Sequence, residues 1–258
     1  MKDELTKKIQ ENAYQIFAAF HNICEDHQIK YSMAYGTLLG AVRHKGFIPW
    51  DDDIDVFMTQ EEYKKLKKAF KSEEFELLDW ENDKKYPYLF PKIRKKGTSL
   101  VESEISDLDY NLGVYIDIFI LYQIPNTVIS QKVKALHTKI AYKLYRLKQL
   151  NLSSMGRATR IVARLAKPFL NLNKLIALNN KIYARSTGDY MRDATMFDPR
   201  TYIKTEEINS LTKIVFEDIE AYVCTNYHEI LTRQYGNYMQ LPPEDQRVSV
   251  HNFYNLEI

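Results

Sequence analysis

The fold of this chain is decided by two segments, Tyr35-Gly36-Thr37-Leu38-Leu39-Gly40-Ala41-Val42-Arg43 and Asp51-Asp52-Asp53-Ile54-Asp55. Residues 31–35 are largely apolar and predict a short strand. Gly36 permits a sharp bend after it, and Thr37 can cap the helix that follows. A second predicted strand begins in the acidic segment. Strands that alternate with helices predict an α/β protein.

The acidic segment predicts a metal site. Asp53 and Asp55 lie two residues apart on a predicted strand, so their side chains point to one face with Cα atoms about 7 Å apart. Two such carboxylates can hold one divalent cation, or two cations about 3.5–4 Å apart. We expect Asp51 and Asp52 to support these ligands from behind. The alternative is an acidic turn that is simply solvated.

A third carboxylate lies in the apolar run Gly113–Leu121, where Ile116 and Ile118 flank Asp117. Burying a carboxylate in a strand is costly unless it is paired or binds a cation. We therefore expect Asp117 to complete the metal site, or to accept the proton of an attacking hydroxyl. The alternative is an edge strand that leaves Asp117 in water.

Composition is ordinary for a globular protein, because the 258 residues are 45% hydrophobic and 27% charged. Cys24 and Cys224 are the two cysteines, which offer no disulfide framework or zinc spacing. The first residues lack the apolar core of a signal peptide, and no apolar run approaches the roughly 18–20 residues that span a bilayer. These features predict a cytoplasmic protein. An opening helix is expected over residues 3–28, with His21 at its surface or cap.

Charge is distributed unevenly along the chain. Residues 118–188 contain 13 of the 36 Lys and Arg residues and no Asp or Glu, so the remainder holds 23 basic against 34 acidic residues. This predicts a surface for anions. The stretch has a helical apolar pattern, and its helices could simply cover the sheet with solvated lysines outside. The absence of every acidic residue instead favours peripheral contact with an anionic membrane at the inner membrane face, and binding of RNA is the main rival.

Three motifs follow one another along the sequence. They are Gly36-Thr37, Asp53-Ile54-Asp55 and, on a later predicted strand, Asp117. With the residues around them they resemble the LicD family of phosphotransferases, which is similar to the wider nucleotidyltransferase superfamily. Phe90-Pro91-Lys92-Ile93-Arg94 and residues 235–243 resemble further family motifs. The resemblance implies a nucleotidyltransferase-type mixed sheet flanked by helices, with an added basic helical subdomain.

The resemblance also implies an activity, which is transfer of phosphocholine or a related phospho-substituent from a CDP-linked donor such as CDP-choline. Choline, glycerol and ribitol phosphate all fit such a donor. The acceptor would be a cell-surface glycan, a teichoic-acid-type precursor or a lipid-linked glycan. Two Mg²⁺ or Mn²⁺ ions would be held by the catalytic carboxylates, which are Asp53, Asp55 and Asp117. The donor phosphates would be bound by Gly36, Thr37, Arg43, His44 and Lys92.

We expect residues 1–125 to form the catalytic core, and the basic helical region and C-terminal segment, 126–258, to complete the same catalytic unit. Two other functions stay open. A nucleotidyltransferase could act on RNA through the basic stretch, although the LicD-like Trp50-Asp51-Asp52-Asp53 context disfavours nucleic acid as a partner. The second of these functions is that of a non-catalytic nucleotide-binding module. The presence of all three carboxylates, Asp53, Asp55 and Asp117, argues against it.

Overall fold

A computed structural model describes residues 2–83, 85–102, 110–149, 161, 188–193, 195, 198–249 and 253–257. The helices of this part are α1 (Lys2–Asp26), α2 (Tyr35–His44), α3 (Gln60–Ala69), α4 (Val128–Gln149), α5 (Thr205–Asn209) and α6 (Tyr227–Tyr235). The strands are β1 (Ser32–Met33), β2 (Asp55–Thr59), β3 (Phe75–Leu78), β4 (Lys92–Lys95), β5 (Ser99–Glu102), β6 (Tyr115–Ile124), β7 (Tyr190–Arg192), β8 (Ile203–Lys204), β9 (Leu211–Phe216), β10 (Ile219–Cys224) and β11 (Phe253–Glu257).

A mixed sheet with the strand order β1-β2-β6-β4-β3 forms the centre of the fold. Strands β2 and β6 are parallel, whereas the pairs β1–β2, β4–β6 and β3–β4 are antiparallel. Strand β7 pairs with the end of β6, and β8 pairs with β7. Helix α1 lies against β6 and β4, and α3 lies against β2 and β6. The predicted α/β architecture, a mixed sheet flanked by helices, is therefore confirmed.

Helix α1 supplies much of the core. Six of its apolar residues are at most 2% exposed, namely Ile9, Ala13, Ile16, Phe17, Phe20 and Cys24. Their spacing of three and four residues places them on one face of the helix. The predicted helix is confirmed and ends at Asp26. His21, however, is buried rather than at the surface. Its ring nitrogen Nδ1 lies 2.8 Å from the hydroxyl of the buried Tyr31.

The turn between β1 and α2 differs from the prediction. Helix α2 begins at Tyr35 rather than at Leu38, and the residue before it makes no side-chain capping hydrogen bond. The predicted capping role of Thr37 is therefore wrong. Its hydroxyl instead accepts a hydrogen bond of 2.8 Å from the backbone amide of Asp55. The sharp bend falls at Tyr35, whose φ is 42°, one residue before the predicted position.

Strand β2 begins at Asp55, so Asp53 lies in the loop that precedes it. The prediction that both residues share one strand face is therefore wrong. The reason is that β1 ends at Met33, opposite Val56, and the ladder does not extend back to Asp53. The acidic segment instead forms a loop, in which Asp53 lies close to Asp51 and Asp52.

The described C-terminal residues pack onto the same sheet. Strands β9 and β10 form a hairpin, which lies against α2 and β1 and turns at Glu217 with a φ of 56°. Helix α6 spans Tyr227–Tyr235, and Gly236 ends it with a φ of 68°. Helix α6 lies against α2, and β11 pairs with β5.

The basic stretch, residues 118–188, is described in part. Helix α4 confirms the helical character predicted for this stretch. A further basic segment within it, from Arg157 to Lys167, lies outside the described residues apart from Ile161. No helix in the described part of the chain combines the length and the apolar character needed to cross a membrane.

Candidate active site

A row of three charged side chains crosses the sheet. Asp55 on β2 stands opposite Asp117 on the parallel strand β6, and Lys92 on β4 stands opposite Asp117 from the other side. Opposed residues on neighbouring strands point to the same face, and the strands lie about 4.8 Å apart. The structure therefore brings two of the three predicted catalytic carboxylates together, with a lysine beside them.

Asp55 is buried among negative charges. Its Oδ1 atom is inaccessible to solvent and has no hydrogen-bond partner among the described residues. Burial raises the pKa of Asp55 well above its usual range, and the charges of Asp53, Asp117 and Asp51 raise it further. Lys92 opposes these effects but is the weakest of the influences. A bound cation would relieve both the desolvation and the repulsion, so this carboxylate fits a metal ligand.

The preceding loop gathers three further carboxylates. Asp51, Asp52 and Asp53 each offer an oxygen within 4.8 Å of the others, a spacing that can hold a metal ion. Asp52 is buried and accepts a hydrogen bond from the hydroxyl of Ser249. Asp55 is not part of this group, but its pKa is raised by the charges of Asp51 and Asp53. Asp51 and Asp52, which were expected only to support the ligands, therefore lie where they can bind the ion directly.

Two distant elements hold the loop in place. Gln10 on α1 donates hydrogen bonds to the carbonyl oxygens of Asp51 (2.7 Å) and Ile48 (3.2 Å). The carboxylate of Glu217, at the turn of the β9–β10 hairpin, accepts a hydrogen bond from the amide of Phe47 at 3.0 Å. Sequence reasoning missed both anchors, because neither carries a local signal and each lies far along the chain from the loop.

The first turn of α2 fits closely against the acidic loop. A Cβ atom at Gly36 would lie 2.6 Å from Oδ2 of Asp51, so glycine leaves the space that this carboxylate occupies. Thr37 holds the first residue of β2 through its hydrogen bond to the amide of Asp55. The N-terminal amides of a helix favour anions, so a phosphate beside this turn would also lie near the carboxylates and any ion they hold.

Residues 28–159 match a family model described as "LicD/FKTN/FKRP, nucleotidyltransferase domain". In an alignment of 264 positions that covers 97% of each chain, the protein is 31% identical to the "Lipopolysaccharide cholinephosphotransferase LicD" of Haemophilus influenzae. The chain belongs to the LicD family. An uncharacterised Rickettsia prowazekii protein is 40% identical over 68 residues, 24% of this chain and 26% of that protein. An uncharacterised Rickettsia typhi protein is 41% identical over 58 residues, 22% of this chain and 19% of that protein.

In this LicD-family chain Lys92 is 1% exposed and forms an ion pair of 2.6 Å with Oδ1 of Asp117. Its ammonium group also lies over three aromatic rings, 3.5 Å from the centroid of Tyr115, 4.5 Å from Tyr88 and 5.1 Å from Phe90. Cation–π contacts of this kind stabilise a desolvated ammonium. Lys92 therefore fixes the orientation of Asp117, and its role as a phosphate clamp stays a prediction.

Arg43 and His44 lie at the other end of α2, seven residues and about 10 Å of helix from Gly36. Arg43 donates hydrogen bonds to the carbonyl oxygens of Tyr238 (2.9 Å) and Gln240 (3.4 Å). Burial lowers the pKa of His44, and the positive charge of Arg43 lowers it further. The structure thus places Arg43 against the segment that follows α6, and phosphate binding by either residue stays a prediction.

Sequence reasoning did not single out Tyr235, the last residue of α6, as a neighbour of the acidic loop. Burial raises the pKa of its hydroxyl, and the charges of Asp55, Asp51 and Asp53 raise it further. Its phenol therefore lies within electrostatic reach of the carboxylates. The segment 235–243 carried a family motif, but only the fold indicates which of its side chains faces the site.

A second missed contact fixes the bend before α2. The hydroxyl of Tyr35 donates a hydrogen bond of 2.6 Å to Oδ2 of the buried Asp193. Asp193 also accepts hydrogen bonds from the amide and hydroxyl of Thr195, at 2.7 and 2.6 Å. A positive φ is unfavourable for tyrosine, and this buried contact offsets that cost at the entrance to the helix.

Proposed function

We propose that this LicD-family chain is a metal-dependent transferase that moves phosphocholine from CDP-choline onto a cell-surface glycan of the lipopolysaccharide type. The relative that aligns over 97% of both chains bears the name of a lipopolysaccharide cholinephosphotransferase, which supports the transferred group and the acceptor. The CDP-linked donor and the nucleotidyltransferase type of the fold follow from the family resemblance. Transfer to teichoic-acid-type precursors is the variant of this proposal that changes only the acceptor.

The observation that carries the proposal is the buried carboxylate of Asp55, whose Oδ1 atom has no hydrogen-bond partner in the described part of the chain. Asp53, Asp55 and Asp117 would hold Mg²⁺ or Mn²⁺, and the 4.8 Å group of Asp51, Asp52 and Asp53 offers further oxygen ligands. Hard cations prefer such oxygen ligands. When bound, the ions would neutralise the donor diphosphate and the charge that develops during transfer.

The protein's own residues would orient the reactants. Amides in the first turn of α2, near Gly36, would bind a phosphate of the donor. The oxygen of an acceptor hydroxyl would attack the phosphorus that bears the choline. The bond from that phosphorus to the bridging oxygen would break, and CMP would leave with the bridging oxygen. Asp117, oriented by Lys92, would accept the hydroxyl proton.

A transfer assay with purified protein tests this proposal. Choline-labelled CDP-choline and lipopolysaccharide are incubated with Mg²⁺ or Mn²⁺, and label in the glycan and released CMP are measured together. We expect both products in equal amounts, their loss with EDTA, and at least a hundredfold loss in Asp55→Asn. The matched control is Asp26→Asn, the same chemical change at an exposed residue that ends α1.

The alternatives give different results in the same assay. Transfer from CDP-glycerol or CDP-ribitol, with none from CDP-choline, would replace the head group. Incorporation of a nucleotide into RNA would support the RNA nucleotidyltransferase. Thermal protection by CDP-choline without turnover on any acceptor would support the nucleotide-binding module.

A further inference from the structure

Helix α4 leaves the sheet after β6 and carries an apolar stripe that the described residues do not cover. Helices that only cover the sheet were the alternative to a membrane-facing patch, but these apolar side chains are about half exposed or more. The exposed fractions are 62% for Val128, 78% for Ile129, 61% for Val133, 60% for Leu136 and 49% for Ile140. Contiguous apolar surface of this kind marks an interaction site.

The stripe is continuous along the helix. Ile129, Val133, Leu136 and Ile140 follow one another at steps of four, three and four residues, so they lie on one face. From the first to the last they extend about 16 Å along the axis. An isolated exposed Leu would need no explanation, but four aligned aliphatic side chains form a ridge that solvent contact disfavours.

Lysines border the stripe along one side. Lys132, Lys139 and Lys143 are exposed and lie about 40–80° around the helix from Ile129, at 100° per residue. No acidic residue occurs anywhere between residues 118 and 188. The helix therefore combines an aliphatic ridge with a one-sided row of positive charge, which is the pattern of helices that lie in a membrane interface.

We propose that α4 docks this protein on the surface of an anionic lipid bilayer. The aliphatic ridge enters the boundary between headgroups and acyl chains, and the three lysines lie at the level of the anionic headgroups. The helix lies along the surface, because its 22 residues are long enough but not apolar enough to cross the bilayer. The proposal concerns where the protein binds and is independent of which group it transfers.

Charge and side-chain chemistry favour a bilayer over two other occupants. A second copy of α4 would bring its own lysines against these lysines, which like-charge repulsion disfavours. Single-stranded RNA would use the lysines, but its bases stack on aromatic rings, whereas the exposed ridge is aliphatic. An anionic bilayer satisfies the positive row and the aliphatic ridge together.

Vesicle flotation tests the proposal with the full chain. Phosphatidylcholine vesicles with and without phosphatidylglycerol are compared at low and high salt. We expect binding only to the anionic vesicles, weakened by salt. The triple change of Lys132, Lys139 and Lys143 to Gln should reduce binding roughly 100-fold, about fivefold per lysine. Removing equal charge from exposed positions in and just after α3, with Lys64, Lys68 and Lys71 changed to Gln, should leave binding within about twofold.

A second triple variant tests the ridge itself. Changing Ile129, Val133 and Leu136 to Ser should reduce binding to anionic vesicles at least tenfold and leave the melting temperature unchanged. The proposal is overturned if wild-type protein ignores anionic vesicles, or if the serine variant binds them as wild type does. It is also overturned if light scattering shows that wild type is a dimer and the serine variant is not. A large drop in the melting temperature of the serine variant would overturn it as well. In both cases the ridge would be covered by protein. Salt-sensitive binding to RNA without binding to vesicles would favour the RNA-binding function instead.

Discussion

Asp55 and Asp117 stand opposite each other on the parallel strands β2 and β6, yet their charges are balanced differently. Lys92 lies 2.6 Å from Asp117 and neutralises it within the protein. No described residue donates a hydrogen bond to Oδ1 of Asp55. Asp117 is therefore neutralised by a lysine of the chain. Asp55 needs an external cation to stay ionised without a large desolvation penalty.

Asp55→Asn should stabilise the metal-free protein. The change removes an uncompensated buried charge with little change of shape, so we expect the free energy of unfolding to rise by about 1–3 kcal/mol. Added Mn²⁺ should then raise the melting temperature of wild type but not of the variant. Urea unfolding with EDTA and with Mn²⁺ measures both effects. A less stable variant that still responds to Mn²⁺ would remove Asp55 from the metal site.

Lys92→Met should have the opposite effect on stability. It leaves Asp117 buried without its lysine, which typically costs about 3–5 kcal/mol. Because a cation can replace the lost charge, Mn²⁺ should restore part of this stability. Lys67→Met is the matched control, since Lys67 pairs at 2.7 Å with the buried Asp79, to which Tyr63 also donates a hydrogen bond. That variant should lose stability that Mn²⁺ does not restore, and rescue of both variants alike would contradict the prediction.

Local patterns in the sequence predicted the elements of the site better than their contacts. The apolar run around Asp117 predicted a buried strand with one carboxylate, and the structure has that strand. The expectation for Asp53 failed because it assumed that β2 begins two residues earlier. Strand ends depend on where the neighbouring strand ends, and this is a tertiary property.

Contacts across long sequence distances could not be predicted. The pairing of Lys92 with Asp117 depends on the register between β4 and β6, which no single strand specifies. Tyr35 and Asp193 are separated by 158 residues, and neither belongs to a local motif that names the other. Threonine is favoured at helix N-caps, which is why a capping role was predicted for Thr37. In the structure the Thr37 hydroxyl instead accepts a hydrogen bond from the buried amide of Asp55.

His21 should make the stability depend on pH. Burial lowers its pKa, while Glu25 raises it and Lys213 lowers it by smaller amounts. A lowered pKa means that the neutral ring contributes stability above about pH 6.5, the usual value, and that this stability is lost as pH falls through the lower native pKa. The gap in melting temperature between wild type and His21→Gln should therefore narrow below pH 6.5. The exposed His27→Gln is the matched control, and a gap between wild type and His21→Gln that widens on acidification would contradict the assignment.

Thr37→Val and Thr37→Ser separate two roles of one hydroxyl. Valine keeps the shape but removes the acceptor for the amide of Asp55, so we expect a loss of about 1–3 kcal/mol and weaker Mn²⁺ binding. Serine keeps the hydroxyl and should bind Mn²⁺ as wild type does. Hydrogen exchange gives the decisive measurement. In Thr37→Val the amide of Asp55 should exchange faster, while the amides of α2 keep their protection. If Thr37 acted as a helix cap, the first turn of α2 would lose protection and the amide of Asp55 would not.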